Sequence, residues 1–113
     1  MYSAIASEGG SEADQGPAPG KIVVNHAAGV KDGSSFEIGN ELVIGRSSKC
    51  DLRLDDSFAS QRHARIFSRG GEAILEDLGS TNGTFLNGTQ VVRPEALRPG
   101  DQVTIGDCEI DYE

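Results

Sequence analysis

Short runs in which apolar and polar residues alternate constrain the fold of this 113-residue chain more than any other feature. Leu52-Arg53-Leu54 and the run 63–66 alternate strictly, and residues 108, 110 and 112 place apolar side chains on one face of a last run. Turn residues recur at intervals of about 8–12 positions, and no segment sustains the 3.6-residue period of a helix. This pattern is typical of an antiparallel β-sandwich, so we predict an all-β fold.

The dipeptide Asn87-Gly88 is the strongest hairpin signal in the chain. Both central residues of a type I′ turn need positive φ, which Asn and Gly tolerate best. We expect the flanking runs, residues 85–86 and 91–92, to be the two strands of this hairpin. Residues 94–97 come nearest to a helical pattern, but they are too few for more than one turn.

Residues 1–20 differ in composition from the rest of the chain. They are rich in Gly, Ala, Ser, Pro and acidic residues, and we predict a disordered tail because so little apolar surface cannot offset the entropy of ordering. Residues 21–113 are then expected to form one domain. Neither a membrane-spanning run nor a secretory signal is predicted, so we expect a cytoplasmic location.

Charge is distributed unevenly along the sequence. The formal net charge of −8 argues against nucleic acid or an anionic membrane as a partner. Residues 46–69 nevertheless contain six basic and three acidic side chains. A locally basic region on an acidic body suits a compact anionic ligand.

The two cysteines, Cys50 and Cys108, are expected to be reduced rather than bridged, because no secretory signal is predicted. No Cys-x-x-Cys spacing or other metal-ligand pattern occurs, so neither a metal nor a cofactor is predicted.

Polar clusters stand where alternating runs stop, at residues 45–47, 60–63 and 79–84. Together they offer a fixed cation, several hydroxyls and turn N–H groups, which match the geometry of a phosphate dianion. They include no convincing nucleophile, base and metal set. The clusters therefore predict capture of a phosphate rather than chemistry on one.

In this order and at these separations, the clusters resemble the forkhead-associated (FHA) domain family. Gly45-Arg46 matches the family's Gly-Arg signature, Ser60 to His63 its Ser-x-x-His, and residues 79–84 its Gly-Ser-Thr-Asn-Gly-Thr loop. Asn87-Gly88 and the Leu-x-x-Gly-Asp of residues 97–101 match its later motifs. The resemblance covers residues 21–113 and implies an eleven-stranded sandwich whose loops at one end bind phosphothreonine peptides.

The resemblance also implies roles for single residues. Arg46 and Ser60 contact the phosphate, Thr81 assists through its hydroxyl or its backbone, and Asn82 bonds the peptide backbone beside the phosphothreonine. Gln61 stands at a position that is often basic or an amide in the family, and it offers the phosphate a donor without charge. The residues expected to shape the loops are Gly45, His63, Gly79, Gly83, Asn87 and Gly88.

The expected partner is a phosphothreonine-containing protein from another chain, either a Ser/Thr kinase or one of its substrates. Residues 1–20 contain serines but no threonine, which makes this segment a poor self-ligand. We expect a monomer that acts in kinase signalling, with neither nucleic acid nor membrane as a partner.

Two other functions were weighed against this one. Ser60, His63 and one of Asp55, Asp56 or Asp77 could form a hydrolase triad, but a Ser and a His three residues apart are poorly placed to meet, and no nucleophile elbow is present. A phosphate-independent scaffold that binds partners through a sheet face is the alternative, mainly because Gln61 carries no charge.

Overall fold

The computed structural model describes residues 20–113, so the predicted tail lies outside the described residues except for Gly20, whose carbonyl accepts a hydrogen bond from the N–H of Ile38 at 3.5 Å. The described residues form strands and turns without a helix. The strands are β1 (Lys21–His26), β2 (Ser35–Glu37), β3 (Glu41–Gly45), β4 (Leu52–Arg53), β5 (Ala64–Arg69), β6 (Glu72–Asp77), β7 (Phe85–Leu86), β8 (Thr89–Gln90), β9 (Glu95–Ala96), β10 (Gln102–Ile105) and β11 (Cys108–Tyr112). The prediction of an all-β fold with about eleven strands is confirmed.

The strands form two sheets, in the orders β2-β1-β11-β10-β7-β8 and β4-β3-β5-β6-β9. Every described strand pair is antiparallel except β3 with β4, which run parallel with Gly45 opposite Arg53. Residues 46–51, which connect these two strands, contain a turn in which the Cys50 N–H donates to the Ser47 carbonyl at 3.1 Å. The sandwich is therefore as predicted, with one parallel pair added.

The inward residues of both sheets meet in a single core. Side chains such as Val24, Ile44, Ile66, Leu75 and Ile110 are completely buried, and polar residues alternate with them on the outward faces. Burial of one such aliphatic side chain contributes about 1.5–3 kcal/mol, so the alternation read from the sequence is also the main source of stability.

The Asn87-Gly88 turn has φ values of 51° and 87°, as the predicted type I′ turn requires. The returning strand was predicted wrongly, because a two-residue turn pairs Leu86 directly with Thr89. Val91 instead enters the core, with its N–H bonded to the Thr84 carbonyl at 2.8 Å. Residues 95–96 form β9, which pairs with β6, although no strand is predicted there from the sequence.

Three loops meet at one end of the second sheet. Because β3, β5 and β6 are successive antiparallel neighbours, the end of β3, the start of β5 and the end of β6 lie at the same edge. The loops there are residues 46–51, 54–63 and 78–84, and they contain all three polar clusters. No helix among residues 20–113 is long and apolar enough to cross a membrane.

Candidate functional site

Arg46 begins the first of these loops and is held against the second. Its backbone N–H donates to the Ser60 carbonyl at 3.0 Å, and its Nε donates to the Ala59 carbonyl at 3.1 Å. The side chain is exposed, and it has no carboxylate partner among the ion pairs of the described residues. The N–H groups of its two terminal nitrogens are therefore available to a ligand.

Ser60 and Thr81 join the second loop to the third. The Ser60 hydroxyl oxygen accepts a hydrogen bond from the Thr81 N–H at 3.1 Å. A hydroxyl that accepts from the protein still has its own hydrogen to donate. Since the Thr81 N–H is occupied, its hydroxyl is the group left for a ligand. The structure thus brings Arg46, Ser60 and Thr81 together at one rim.

His63 lies beneath this rim and is completely buried. Its Nδ1 accepts from the Ser60 N–H at 3.0 Å, so Nε2 carries the hydrogen and donates to the Gly83 carbonyl at 2.8 Å. The ring therefore ties the second loop to the third. This geometry fits the loop-shaping role predicted for His63 and Gly83.

Gly45 permits a close approach between the first two loops. A Cβ at this position would collide with the Gln61 carbonyl oxygen and lie 3.0 Å from the His63 nitrogen. That same carbonyl accepts from the Ser47 N–H at 3.0 Å and from the Cys50 thiol at 3.2 Å. The backbone of Gln61 is thus fixed, while its side chain is exposed at the rim.

Asp77 organises the third loop, and its part was not predicted. One carboxylate oxygen accepts from the hydroxyls of Ser80 at 2.5 Å and Thr84 at 2.7 Å, and the other from the N–H groups of Gly79 and Ser80 at 3.1 and 3.0 Å. Burial disfavours the charged carboxylate, but these hydrogen bonds outweigh it and lower the pKa of Asp77. An Asp whose side chain accepts from the backbone N–H two residues on, as Asp77 does from Gly79, is a known signal for such a side-chain-closed turn.

Asp56 fixes the second loop in a similar way. This buried carboxylate accepts from the Phe58 N–H at 2.8 Å and from the Asp107 N–H at 3.0 Å. It thereby links the loop to the turn between β10 and β11, in the other sheet. Nothing in the local sequence indicates a partner so far along the chain.

Asn82 lies at the rim, where its side-chain amide donates to the Phe58 carbonyl at 2.8 Å. Its side-chain oxygen and second N–H are left for other partners. Gly79 and Gly83 belong to the same loop and have φ values of 75° and 90°, which favour glycine.

Asn87 and Gly88 are not brought to the rim. The Asn87 side chain bonds Asp101 at 3.0 Å and the Gln102 N–H at 2.9 Å, which fixes the β7–β8 hairpin against β10. They shape a turn, as predicted, but that turn stands apart from the three converging loops.

Both cysteines are free thiols, as expected.

Comparison with known proteins places this site in context. The FHA domain model matches residues 42–106. FhaB, an FHA domain-containing protein of Mycolicibacterium smegmatis, is 42% identical over 84 residues, covering 74% of this chain and 54% of FhaB. The glycogen accumulation regulator GarA of the same organism is 34% identical over 92% of this chain and 66% of its own. The chain thus spans about half the length of FhaB.

Solved structures of FHA domains are also similar to this chain. The FHA domain of FhaA, crystallised with an intracellular domain of another protein, superposes with a TM-score of 0.73 at 30% identity, covering 83% of this chain and 99% of that one. A domain from a structural study of phosphothreonine-dependent FHA interactions gives the same TM-score and identity, over 83% and 94% of the two chains. This chain belongs to the FHA domain family.

Proposed function

We propose that this domain recognises phosphothreonine in another protein, and so makes an interaction depend on phosphorylation. The observation that carries the proposal is the convergence of Arg46, Ser60 and Thr81 at one rim. A related solved structure comes from work on phosphothreonine-dependent FHA interactions. Phosphothreonine is made by phosphoryl transfer to threonine, so the partner is a Ser/Thr kinase or one of its substrates.

The donors at the rim are complementary to a phosphate dianion, which only accepts hydrogen bonds. We propose that the terminal N–H groups of Arg46 and the hydroxyls of Ser60 and Thr81 bind the phosphate oxygens, with Gln61 as an uncharged fourth donor. Hydrogen bonds to a charged group are worth about 1.5–3 kcal/mol each. After ordering costs, about −6 to −8 kcal/mol is expected to remain, which corresponds to roughly micromolar to tens of micromolar Kd.

Asn82 is proposed to bond the peptide backbone beside the phosphothreonine. Its amide is already held by the Phe58 carbonyl at 2.8 Å, which fixes the orientation of the free oxygen and second N–H. A side chain held in this way loses little entropy when the ligand arrives.

Binding rather than hydrolysis is supported by the position of His63. Nucleophile activation needs a base on the Ser60 hydroxyl, but Nδ1 of His63 accepts from the Ser60 backbone N–H instead. The other nitrogen of the ring is occupied by the Gly83 carbonyl, and Asp77 is engaged within its own loop. We therefore propose that the domain is not an enzyme.

Titration of one threonine peptide in phosphorylated and unphosphorylated forms tests the proposal. We expect only the phosphorylated peptide to bind, and Arg46→Ala to abolish its binding while the fold is kept, because the side chain is exposed. Arg98→Ala, at an exposed position outside the three loops, is the matched control. Equal affinity for both peptides would overturn the proposal and favour a phosphate-independent scaffold.

Residues 21–113 are proposed to be the whole binding unit. Removal of residues 1–18 is then expected to leave peptide affinity within about twofold, and a large change would contradict this.

The free thiols of Cys50 and Cys108 support action in a reducing compartment such as the cytoplasm.

A further inference from the structure

Beside Arg46 lies a group of three further cations, Lys49, Arg53 and Arg62, which we call the basic flank. All three are exposed, and none takes part in the ion pairs of residues 20–113, which involve Arg65 alone among the basic residues. The proposed phosphate contacts do not use them. On a chain of net charge −8, an unpaired cationic patch is a local site that attracts anionic groups.

Hydrogen bonds hold the basic flank next to the phosphate-binding rim. Nε of Arg53 donates to the Arg46 carbonyl at 3.2 Å. The Gln61 carbonyl accepts a hydrogen bond from the Ser47 N–H at 3.0 Å and so fixes the turn that carries Lys49. Arg62 follows Gln61 directly in the sequence.

None of the three acidic residues in the same stretch, Asp51, Asp55 and Asp56, forms an ion pair with the basic flank among residues 20–113. The carboxylate of Asp51 accepts from the Val43 N–H at 2.8 Å, and both oxygens of Asp56 are occupied by backbone N–H groups. Burial raises the pKa of the Cys50 thiol, a hydrogen bond with Ser47 and the charge of Arg62 lower it, and the charge of Asp51 raises it. Arg62 is therefore close enough to the turn that bears Lys49 for its charge to act there.

We propose that the basic flank binds a second anionic group of the ligand, so that the domain selects phosphothreonine peptides with acidic residues on one side of the phosphothreonine. This inference rests on the proposed function. Asn82 is bonded to the carbonyl of Phe58, two residues before Ser60, whereas Arg62 stands two residues after it, so the two directions of the peptide are expected to meet different surfaces.

The basic flank also accounts for the uncharged Gln61. A cation at that position would act on the phosphothreonine itself, whereas the neighbouring Lys49 and Arg62 are proposed to act on the residues beside it. A patch of three cations has enough positive charge to bind a few carboxylates or one phosphate. Long polyanions are disfavoured by the acidic remainder of the chain.

The test uses the full chain and peptides that each carry one phosphothreonine. One peptide has neutral flanks, one has two glutamates N-terminal to the phosphothreonine, and one has them C-terminal. We expect one of the two acidic peptides to bind about fivefold more tightly than the neutral peptide in about 50 mM salt, by fluorescence anisotropy. The advantage should fall below about twofold in about 500 mM salt, because salt screens exposed charges.

A double variant, Lys49→Gln with Arg62→Gln, should bring the acidic-to-neutral affinity ratio close to one. The matched control is Lys21→Gln with Arg98→Gln, which removes the same charge at exposed positions outside the three loops and should keep the ratio. Replacing the glutamates by a phosphoserine separates the two sources of negative charge. Tighter binding would identify a second phosphate as the preferred group, and equal binding would show that carboxylates suffice.

Equal affinity of wild type for all three peptides, or an acidic preference that survives in the double variant, would overturn this inference. A failure of the proposed function would give a different result. In that case the neutral peptide would bind with the same affinity whether or not its threonine is phosphorylated.

Discussion

The hydroxyl oxygen of Ser60 accepts a hydrogen bond from the backbone N–H of Thr81 at 3.1 Å, across 21 residues of sequence. This contact closes the gap between two loops that leave different strands. It also orients the Ser60 hydroxyl, because an oxygen engaged as acceptor by the protein has its hydrogen left for a ligand. The proposed phosphate-binding rim is thus held together by the protein's own hydrogen bonds.

Ser60→Ala removes both the proposed donor to the phosphate and the acceptor for the Thr81 N–H. We expect phosphopeptide affinity to fall by about tenfold or more, since a hydrogen bond to a charged group is lost. Isothermal titration calorimetry measures the change, and Ser57→Ala, an exposed serine of the same loop, is the control. A loss of less than about twofold would mean that Ser60 does not touch the phosphate.

His63→Ala leaves the Ser60 N–H and the Gly83 carbonyl without their buried partner. Each unsatisfied group costs about 1–3 kcal/mol, so the free energy of unfolding should fall by about 2–5 kcal/mol in urea titration. The exposed His26 provides the matched variant His26→Ala, which should change it little. Equal stability of the two variants would show that the buried ring does not tie the loops together.

Asp77→Asn is expected to destabilise the domain in a pH-dependent way. The folded state lowers the pKa of this carboxyl below its ordinary value of 3.8, so its contribution is present above that pH and is lost as pH falls through the folded pKa. Urea unfolding should therefore show a gap of about 1 kcal/mol between wild type and variant near pH 7, which shrinks below about pH 4. The exposed Asp32→Asn is the control, and a gap that persisted at about pH 2–3 would contradict the assignment.

Phosphopeptide affinity should itself depend on pH. The second pKa of a phosphothreonine is about 6, so the ligand loses about one negative charge between pH 7.5 and 5. We expect Kd to rise several-fold over that range, measured by anisotropy, with circular dichroism to verify that the domain stays folded. An affinity independent of pH from about 5 to 8 would contradict a pocket that reads the dianion.

The features that could be predicted from sequence are those encoded within a few residues. The Asn87-Gly88 turn follows from the backbone preferences of two adjacent residues, and the buried strands follow from alternation. The gathering of Arg46, Ser60 and Thr81 was predicted through the family's motifs, since no local rule relates loops that far apart.

The features that were missed depend on distant partners. Asp56 acquires its role from the Asp107 N–H, 51 residues away. Residues 95–96 became a strand only because β6 offered a free edge for pairing. The parallel pairing of β3 and β4 likewise depends on how residues 46–51 fold back, which alternation cannot report.

The first and last described strands lie side by side, with reciprocal backbone hydrogen bonds between Lys21 and Glu113 at 3.1 and 2.8 Å. β1 runs from this pair toward Ala28, whose carbonyl bonds the Asp55 N–H of the second loop. A six-residue strand spans about 20 Å. A fluorophore or fusion partner attached at Glu113 would therefore stand clear of the bound peptide, and a short linker between the two ends would permit a circular permutant opened at the β7–β8 hairpin.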